Sequence, residues 1–520
     1  MGAPFTVTTA ISYPNGRPHI GHAYEAIAAD VIARFQKAQG REVFFQTGTD
    51  EHGLKKAQKA RELGVEPAAL ANEMSQYFID MCAELDVEYD NFQRTTEPRH
   101  HRASQELWKR MKANGDLYLD RYEGWYSIRD EAYYDESELL GEGSERRSPQ
   151  GTEVEWTVEE SWFFRLSNYQ QRLLELYENQ PDFIRPESRR NEMKAFVAGG
   201  LRDLSVSRTS FDWGVKVPGS EAHVMYVWVD ALTNYLTGLG WPDETEAFSK
   251  HWPVDLHLIG KDIVRFHTVY WPAFLMSVKL PLPHQVFGHG FLLNRGQKES
   301  KSLGNVTDPV ALARTFGTDQ LRYFLLREVA FGQDGSYSPE AIVARCNAEL
   351  ANSFGNLAQR VLSMIFKNLD GELSSDIQLT SADDLLLETV ANKIADLRTA
   401  FKGLAFSDGL DAWMQAVFAC NQYVDAQAPW ALRKTDPERM VVVLMTLFRC
   451  VRDLAIALRP VTPGSIDRLL DQMGIALAAR DFVALDDQTW LPGLVASGFT
   501  LQQPTGIFPR LEEPASGPAT

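Results

Sequence analysis

A chain of 520 residues is long enough for roughly three or four domains with sizeable cores. Its 52 Lys plus Arg against 70 Asp plus Glu leave a net charge of -18, which excludes indiscriminate nucleic-acid binding and requires any RNA partner to meet a locally basic face. The longest strongly apolar run, residues 440–448 between Arg439 and Arg449, is far too short for a membrane span, and the four cysteines show no paired metal spacing, so a membrane role is excluded and a reducing, cytoplasmic setting is expected.

Residues 5–11 are rich in β-branched side chains and read as a buried strand that ends at the turn Tyr13-Pro14-Asn15-Gly16. From Gly21 the pattern becomes helical: Ala23, Ile27, Val31 and Phe35 are apolar at helical spacing, and Gly40 is placed to stop the helix. A second strand follows at 42–46. The result is a β-α-β unit whose right-handed crossover puts the turns around 13–22 and 47–53 on one carboxyl edge of a parallel sheet, where nucleotides bind.

His19-Ile20-Gly21-His22 lies at that helix start. A helix N-terminus with hydrogen-bonding rings suits a triphosphate, although the same spacing would also serve a metal or an exposed helix start. No G-x-G-x-x-G is present, which argues against a dinucleotide cofactor. A helix is expected at 106–114, then a segment rich in aromatics and charges. The sheet resumes with strand candidates at 224–229, 255–259 and 285–291, so the nucleotide-binding domain is split. Lys298-Glu299-Ser300-Lys301-Ser302 reads by itself as a solvated loop, but paired with the histidines it would grip phosphates from the second side. Asp308-Pro309 marks a helix start. Leu350, Phe354, Leu357, Val361 and Ile365 then open a run of helical segments that reads as an α-helical bundle.

The segment from Tyr13 to His22, the run Thr47-Gly48-Thr49-Asp50-Glu51-His52-Gly53, the run Ile259-Gly260-Lys261-Asp262 and the lysine-serine loop together resemble the methionyl-tRNA synthetases, a family of class I aminoacyl-tRNA synthetases. The resemblance runs from about Phe5 to about Leu494. It implies an α/β fold: a split doubly wound parallel nucleotide-binding sheet with an inserted connective domain, followed by an α-helical bundle. The boundaries expected are 1–115 and 221–293 for the two halves of the catalytic domain and 116–220 for the connective insertion. A lysine-serine loop and stem-contact region follow at 294–345, an anticodon-binding bundle at 346–503 and a flexible tail at 504–520.

The activity implied is ATP-dependent ligation of L-methionine to methionine tRNA, elongator and initiator, through methionyl-adenylate. Such activation needs no catalytic base, because the amino-acid carboxylate is already a nucleophile; it needs alignment and stabilised charge on the departing phosphates. By resemblance His19, His22 and Lys301 are catalytic, and ATP meets Gly21, Gly260, Asp262, Lys298 and Lys301, with Mg2+ on the pyrophosphate. Asp50 matches the carboxylate that binds the α-ammonium. Ile11, Tyr13, Trp228, Leu232, Tyr235, His267 and Trp271 match the side-chain pocket, where aromatic walls suit a thioether and a tyrosine hydroxyl would donate to its sulfur. Asn356, Arg360 and Trp430 match the anticodon-binding triad, with an indole on which an unstacked base can lie.

Two departures stand out. Glu299 replaces the methionine common in the lysine loop of relatives. No cysteine lies between Cys82 and Cys346, so the insertion lacks thiolates for a zinc knuckle, and Tyr126-Ser127-Ile128-Arg129-Asp130 occupies that place; no structural zinc is expected, with hydrogen bonds and packing in its stead. The insertion is too short for the editing domain of the leucine, isoleucine and valine enzymes, and the cysteine enzyme would need a zinc thiolate. A nucleotidyltransferase without tRNA would leave the triad idle, and a non-catalytic tRNA-binding protein would not need the histidines and lysines. A monomer is expected.

Overall fold

The computed structural model describes residues 2–130, 132–141, 143–298 and 306–512. Its organising element is a six-stranded, all-parallel sheet in the order Asn91–Arg94, Arg41–Thr49, Gly2–Thr9, Leu256–Gly260, Gln285–His289, Ile184–Arg185. Arg41–Thr49 and Asn91–Arg94 build outward from Gly2–Thr9 in one direction, and Leu256–Gly260, Gln285–His289 and Ile184–Arg185 in the other. The strand order therefore reverses between Gly2–Thr9 and Leu256–Gly260, and the crevice beyond the carboxyl ends of those two strands is where an open α/β sheet binds its ligand.

The expected helix after the first strand runs Ile20–Ala38. Ala23, Ile27, Val31 and Phe35 are buried on its sheet-facing side, and Gly40, with φ of 77°, follows its end where a side chain would be strained. Its far end reaches the helical bundle, where Phe35 packs on Phe401 and Phe482. Midway, buried Asp30 accepts from the buried Arg322 guanidinium at 2.5 Å, and Arg322 also donates to the carbonyls of Asp86 and Val461, both at 2.9 Å. One arginine thus ties the Ile20–Ala38 helix, the Thr318–Glu328 helix and the bundle together.

Three expectations need correction. Residues 224–229 do not form a strand of the main sheet: Ser220–Met225 pairs antiparallel with Ser207–Arg208 and Lys216–Val217, and the helix Val227–Thr237 begins at once. The β-branched run around 224 fits either sheet, and only pairing decides which. The helix expected at 106–114 starts earlier, spanning Pro98–Ala113. The tail expected to be flexible from Pro504 is packed as far as Leu511: Ile507 and Phe508 are buried, and the Asn347 side chain exchanges two hydrogen bonds with the Leu511 backbone, at 2.9 and 2.7 Å. Two apolar side chains among the prolines outweigh the local tendency to fray.

In the insertion, Leu117–Ser127 and Glu155–Phe164 form a long antiparallel pair. At its tip a buried polar knot joins the two ends of the excursion. The Asp130 carboxylate accepts from Ser148 and Thr152, both at 2.6 Å, and from Tyr134 at 3.0 Å, while the Ser127 hydroxyl lies 2.7 Å from that of Thr152. The bundle comprises Asn356–Asn368, Ser381–Lys402, Phe406–Gln427, Pro437–Leu458 and Pro463–Gln472. All four cysteines are buried in helices as free thiols.

Candidate active site

His19 caps the Ile20–Ala38 helix. Its Nδ1 accepts from the Gly21 N–H at 3.1 Å, and the His22 Nδ1 accepts from the His19 N–H at 3.1 Å, a reciprocal capping box made by two imidazoles. Because each Nδ1 accepts, each ring proton resides on Nε2. The rings lie 3.8 Å apart, and the first turn holds no acidic side chain to offset the positive end of the helix. Gly21 is required for this: a Cβ there would stand 2.9 Å from His19 Cε1.

Across the switch point, Leu256–Gly260 ends in a single turn, Lys261–Ile263. A Cβ on Gly260 would lie 2.7 Å from Asp262 Oδ1, so this glycine makes room for the carboxylate. Asp262 is exposed, and the helix-capping position belongs to Gly260. Lys261 Nζ is held by both oxygens of Asp334 at 2.8 and 2.7 Å.

Between these two corners lies a pair that sequence reasoning missed. Glu25, one turn beyond His22, accepts from His289 Nε2 at 2.9 Å, and His289 Nδ1 donates to the Gly290 carbonyl at 2.8 Å. Burial pushes the Glu25 carboxyl up; burial would lower His289, but Glu25 outweighs it and raises the imidazole. Asp262 adds to both shifts, which puts all three groups in one electrostatic neighbourhood. The only sequence signal was helical spacing from His22 to Glu25 and a histidine at a strand end.

Asp50 follows the Arg41–Thr49 strand, is buried, and donates its N–H to the Ser12 carbonyl at 2.9 Å. Lys56 donates to the Asp50 carbonyl and stands 4.4 Å over the Tyr13 ring. Ile11 and Tyr13 are half-buried.

The aromatic residues converge. Trp228, Leu232 and Tyr235 lie on the Val227–Thr237 helix, His267 in the wide π-helical turn Phe266–Tyr270, and Trp271 at the start of the next helix. Trp228 stacks face to face on Phe266 at 3.7 Å and meets His267 edge-on at 6.0 Å. Tyr235 lies 6.0 Å from Trp271, and both are buried with Leu232. His267 Nδ1 donates to the Ile263 carbonyl at 3.0 Å, so its Nε2 is the acceptor for the Tyr235 hydroxyl at 2.7 Å. Burial holds the His267 imidazole down to about 4, so the ring is neutral. The Tyr235 proton is therefore committed to His267 and cannot serve a ligand sulfur as expected of a tyrosine here. His257, also missed, completes the layer: it contacts the Thr8 hydroxyl through Nδ1 at 2.7 Å and accepts from Trp271 Nε1 at 3.3 Å.

Lys298 lies in the short strand Gln297–Lys298, paired with Leu292–Asn294. Glu299, Ser300, Lys301 and Ser302 lie outside the described residues. In the bundle, Arg360 sits 5.7 Å over the Trp430 ring and 3.3 Å from Asp425. Trp430 is 52% exposed at the start of Pro429–Thr435, and Asn356 is exposed one turn before Arg360.

The chain has counterparts among known proteins. A family model described as tRNA synthetases class I (M) matches residues 5–154 and 144–362, and one described as the anticodon binding domain of methionyl tRNA ligase matches 374–516. The chain belongs to this family. It is similar to the methionine–tRNA ligase of Mesorhizobium japonicum, 54% identical over 98% of this chain and 99% of that protein. The corresponding ligase of Mycobacterium tuberculosis strain H37Rv is 53% identical, with 98% of each chain covered. Among solved structures, Mycobacterium tuberculosis methionyl-tRNA synthetase bound by methionyl-adenylate superposes with a TM-score of 0.93 at 52% identity, covering 97% of this chain and all of that one. The free-state form of that enzyme gives 0.89 at 50% identity over 99% of each chain. The synthetase fold, with its parallel sheet followed by a helical C-terminal region, is thus that of the chain.

Proposed function

We propose that the chain activates L-methionine with ATP to methionyl-adenylate and transfers the methionyl group to both elongator and initiator methionine tRNA. The observation that carries this reading is the meeting, at one sheet switch point, of the His19–His22 helix start, the Gly260–Asp262 turn, the Asp50 turn and the layer of Trp228, Leu232, Tyr235, His267 and Trp271. One side offers a cradle for phosphate and ribose; the other offers an apolar slot with a carboxylate at its end.

In this reading Asp50 accepts from the α-ammonium, and the thioether lies against Ile11, Tyr13, Trp228, Leu232, Tyr235, His267 and Trp271. Neutral His267 keeps the slot free of charge. The methionine carboxylate attacks the α-phosphorus, the bond to the bridging oxygen breaks, and pyrophosphate leaves. His19 and His22 donate through Nε2 to triphosphate oxygens beside Gly21, while Lys298 and Lys301 close over them. Gly260 and Asp262 meet the ribose. Magnesium bound with ATP would supply positive charge to the leaving pyrophosphate; among the described residues no group of three His, Cys, Asp or Glu side chains forms a cage for it.

Asn356, Arg360 and Trp430 read the anticodon, the indole offering its exposed face for stacking. The insertion takes no zinc, its tip being held by the Ser127, Asp130, Ser148 and Thr152 knot. The chain acts as a monomer in the cytoplasm: activation and tRNA-reading elements occur in one chain, and its product feeds translation. No helix of the described residues is long and apolar enough to cross a membrane. The test is exchange of pyrophosphate into ATP with each amino acid in turn, followed by charging of both methionine tRNAs. Methionine alone should stimulate exchange and both tRNAs should be charged; stimulation by a different amino acid defeats the reading.

A further inference from the structure

The carboxylate of Asp230 is fully buried on the Val227–Thr237 helix. Trp228, Leu232 and Tyr235 recur at i, i+4 and i+7 and share the helix face that meets His267 and Trp271. Asp230, at i+2, projects from the opposite face and cannot touch what the aromatic layer holds. Its two oxygens are both taken. Oδ2 accepts from His52 Nδ1 at 2.6 Å, and Oδ1 accepts from His100 Nε2 at 2.7 Å. His100 in turn bonds through Nδ1 to the Thr237 hydroxyl at 3.0 Å, at the end of the same helix.

His52 stands two residues after Asp50, and the residue between them is locked on another side. The Glu51 carboxylate accepts from Arg94 Nε at 2.7 Å and from the hydroxyls of Thr49, Ser75 and Thr96, and its main-chain carbonyl accepts from Trp213 Nε1 at 2.7 Å. The turn that presents Asp50 is therefore held by one neighbour to the Asn91–Arg94 strand and by the other to the helix of the aromatic layer.

We propose that Asp230 is a positioning residue for amino-acid binding: by tying His52 to the Val227–Thr237 helix, it sets the span between the carboxylate that meets the α-ammonium and the aromatic layer that meets the thioether. The proposal rests on the roles given above to Asp50 and to that layer. Burial alone would raise the Asp230 carboxyl, but His52 and His100 more than offset it and hold it well below the usual carboxylate range, so the tie stays ionised at neutral pH. A group that fixes a span matters only to a ligand that uses both ends. Misplacement of positioned groups by about 1 Å costs on the order of 100-fold in favourable cases.

The experiment compares Asp230→Asn with the unaltered enzyme in methionine-dependent pyrophosphate exchange, together with inhibition by 4-(methylthio)butanoate, which keeps the thioether and carboxylate but lacks the ammonium. The KM for methionine should rise about tenfold or more, while kcat, the KM for ATP and the inhibition constant of the desamino acid stay within about twofold. His52→Ala should reproduce the effect, and His52→Asn, which restores a donor at the Nδ1 position, should reverse most of it. Unchanged methionine KM in a normally melting Asp230→Asn protein overturns the proposal, and so does parallel loss for methionine, ATP and the desamino acid. If Asp230→Asn does not fold, the two His52 variants decide by the same criteria. Asp50→Asn separates the two levels: intact methionine affinity there defeats the role of Asp50 itself, whereas its loss beside a normal Asp230→Asn defeats only the tie.

Discussion

The aromatic layer beside Asp50 and the patch around Trp430 are built on opposite plans. In the layer, Tyr235 bonds His267, His267 bonds Ile263, Trp271 bonds His257 and His257 bonds Thr8, so the polar atoms of a buried wall satisfy one another before any ligand arrives. Around Trp430 the indole is half in solvent, and Arg360 covers it from 5.7 Å. A small substrate must be recognised by a slot that already exists, because it brings too little surface to organise one. An RNA base brings its own π-face, so an exposed ring is enough.

That contrast is open to attack at several points. The largest expected effect is that of Lys301→Ala, which should slow adenylate formation by a factor on the order of 100 to 1000 with little change in methionine affinity, since the ammonium acts on charge that develops during reaction. Pre-steady-state rates and equilibrium binding in the same variant check this, and equal losses in both remove Lys301 from the chemistry. Trp430→Ala should cost about 1 to 3 kcal/mol in tRNA charging and leave pyrophosphate exchange unchanged. A parallel fall in both activities, with the melting temperature intact, would mean that the two regions are not separable in the way described.

The pre-built layer also carries a pH signature. The His267 imidazole is held at about 4 in the folded chain, below the usual value near 6.5, so the unfolded chain binds that proton first as pH falls. The stabilisation is complete above about 6.5 and is lost between there and about 4, by up to about 1.4 kcal/mol for each pH unit. Urea unfolding at pH 7 and pH 5 should reveal this loss, and His267→Gln should lack that part of it; identical pH dependence in both proteins would contradict a buried neutral ring.

The smallest effect is expected in the insertion. Thr152→Val removes the hydroxyl that faces Ser127 and Asp130 and should destabilise the tip by about 1 kcal/mol, read as faster limited proteolysis there with exchange activity retained. Proteolysis at the unaltered rate would show that the knot is not what holds the tip.

The amino-acid order by itself determined the β-α-β unit, its carboxyl edge and the helical bundle, because strand and helix periodicities and the turn at Pro14–Gly16 act over a few residues. It also brought His19, Gly21, His22, Asp50, Gly260 and Asp262 to strand and helix ends, since those ends are local features. Tertiary structure alone decided the rest. The 224 region joined a small antiparallel sheet because pairing, not propensity, chooses a strand's neighbour. Residues 504–511 became ordered because Ile507 and Phe508 found a core. Glu25 met His289 across 264 residues and His52 met Asp230 across 178, separations over which no periodicity carries information. The Tyr235 proton went to His267 rather than toward a ligand for the same reason: a hydrogen bond is directed by where two side chains come to rest, and only the packed chain determines that.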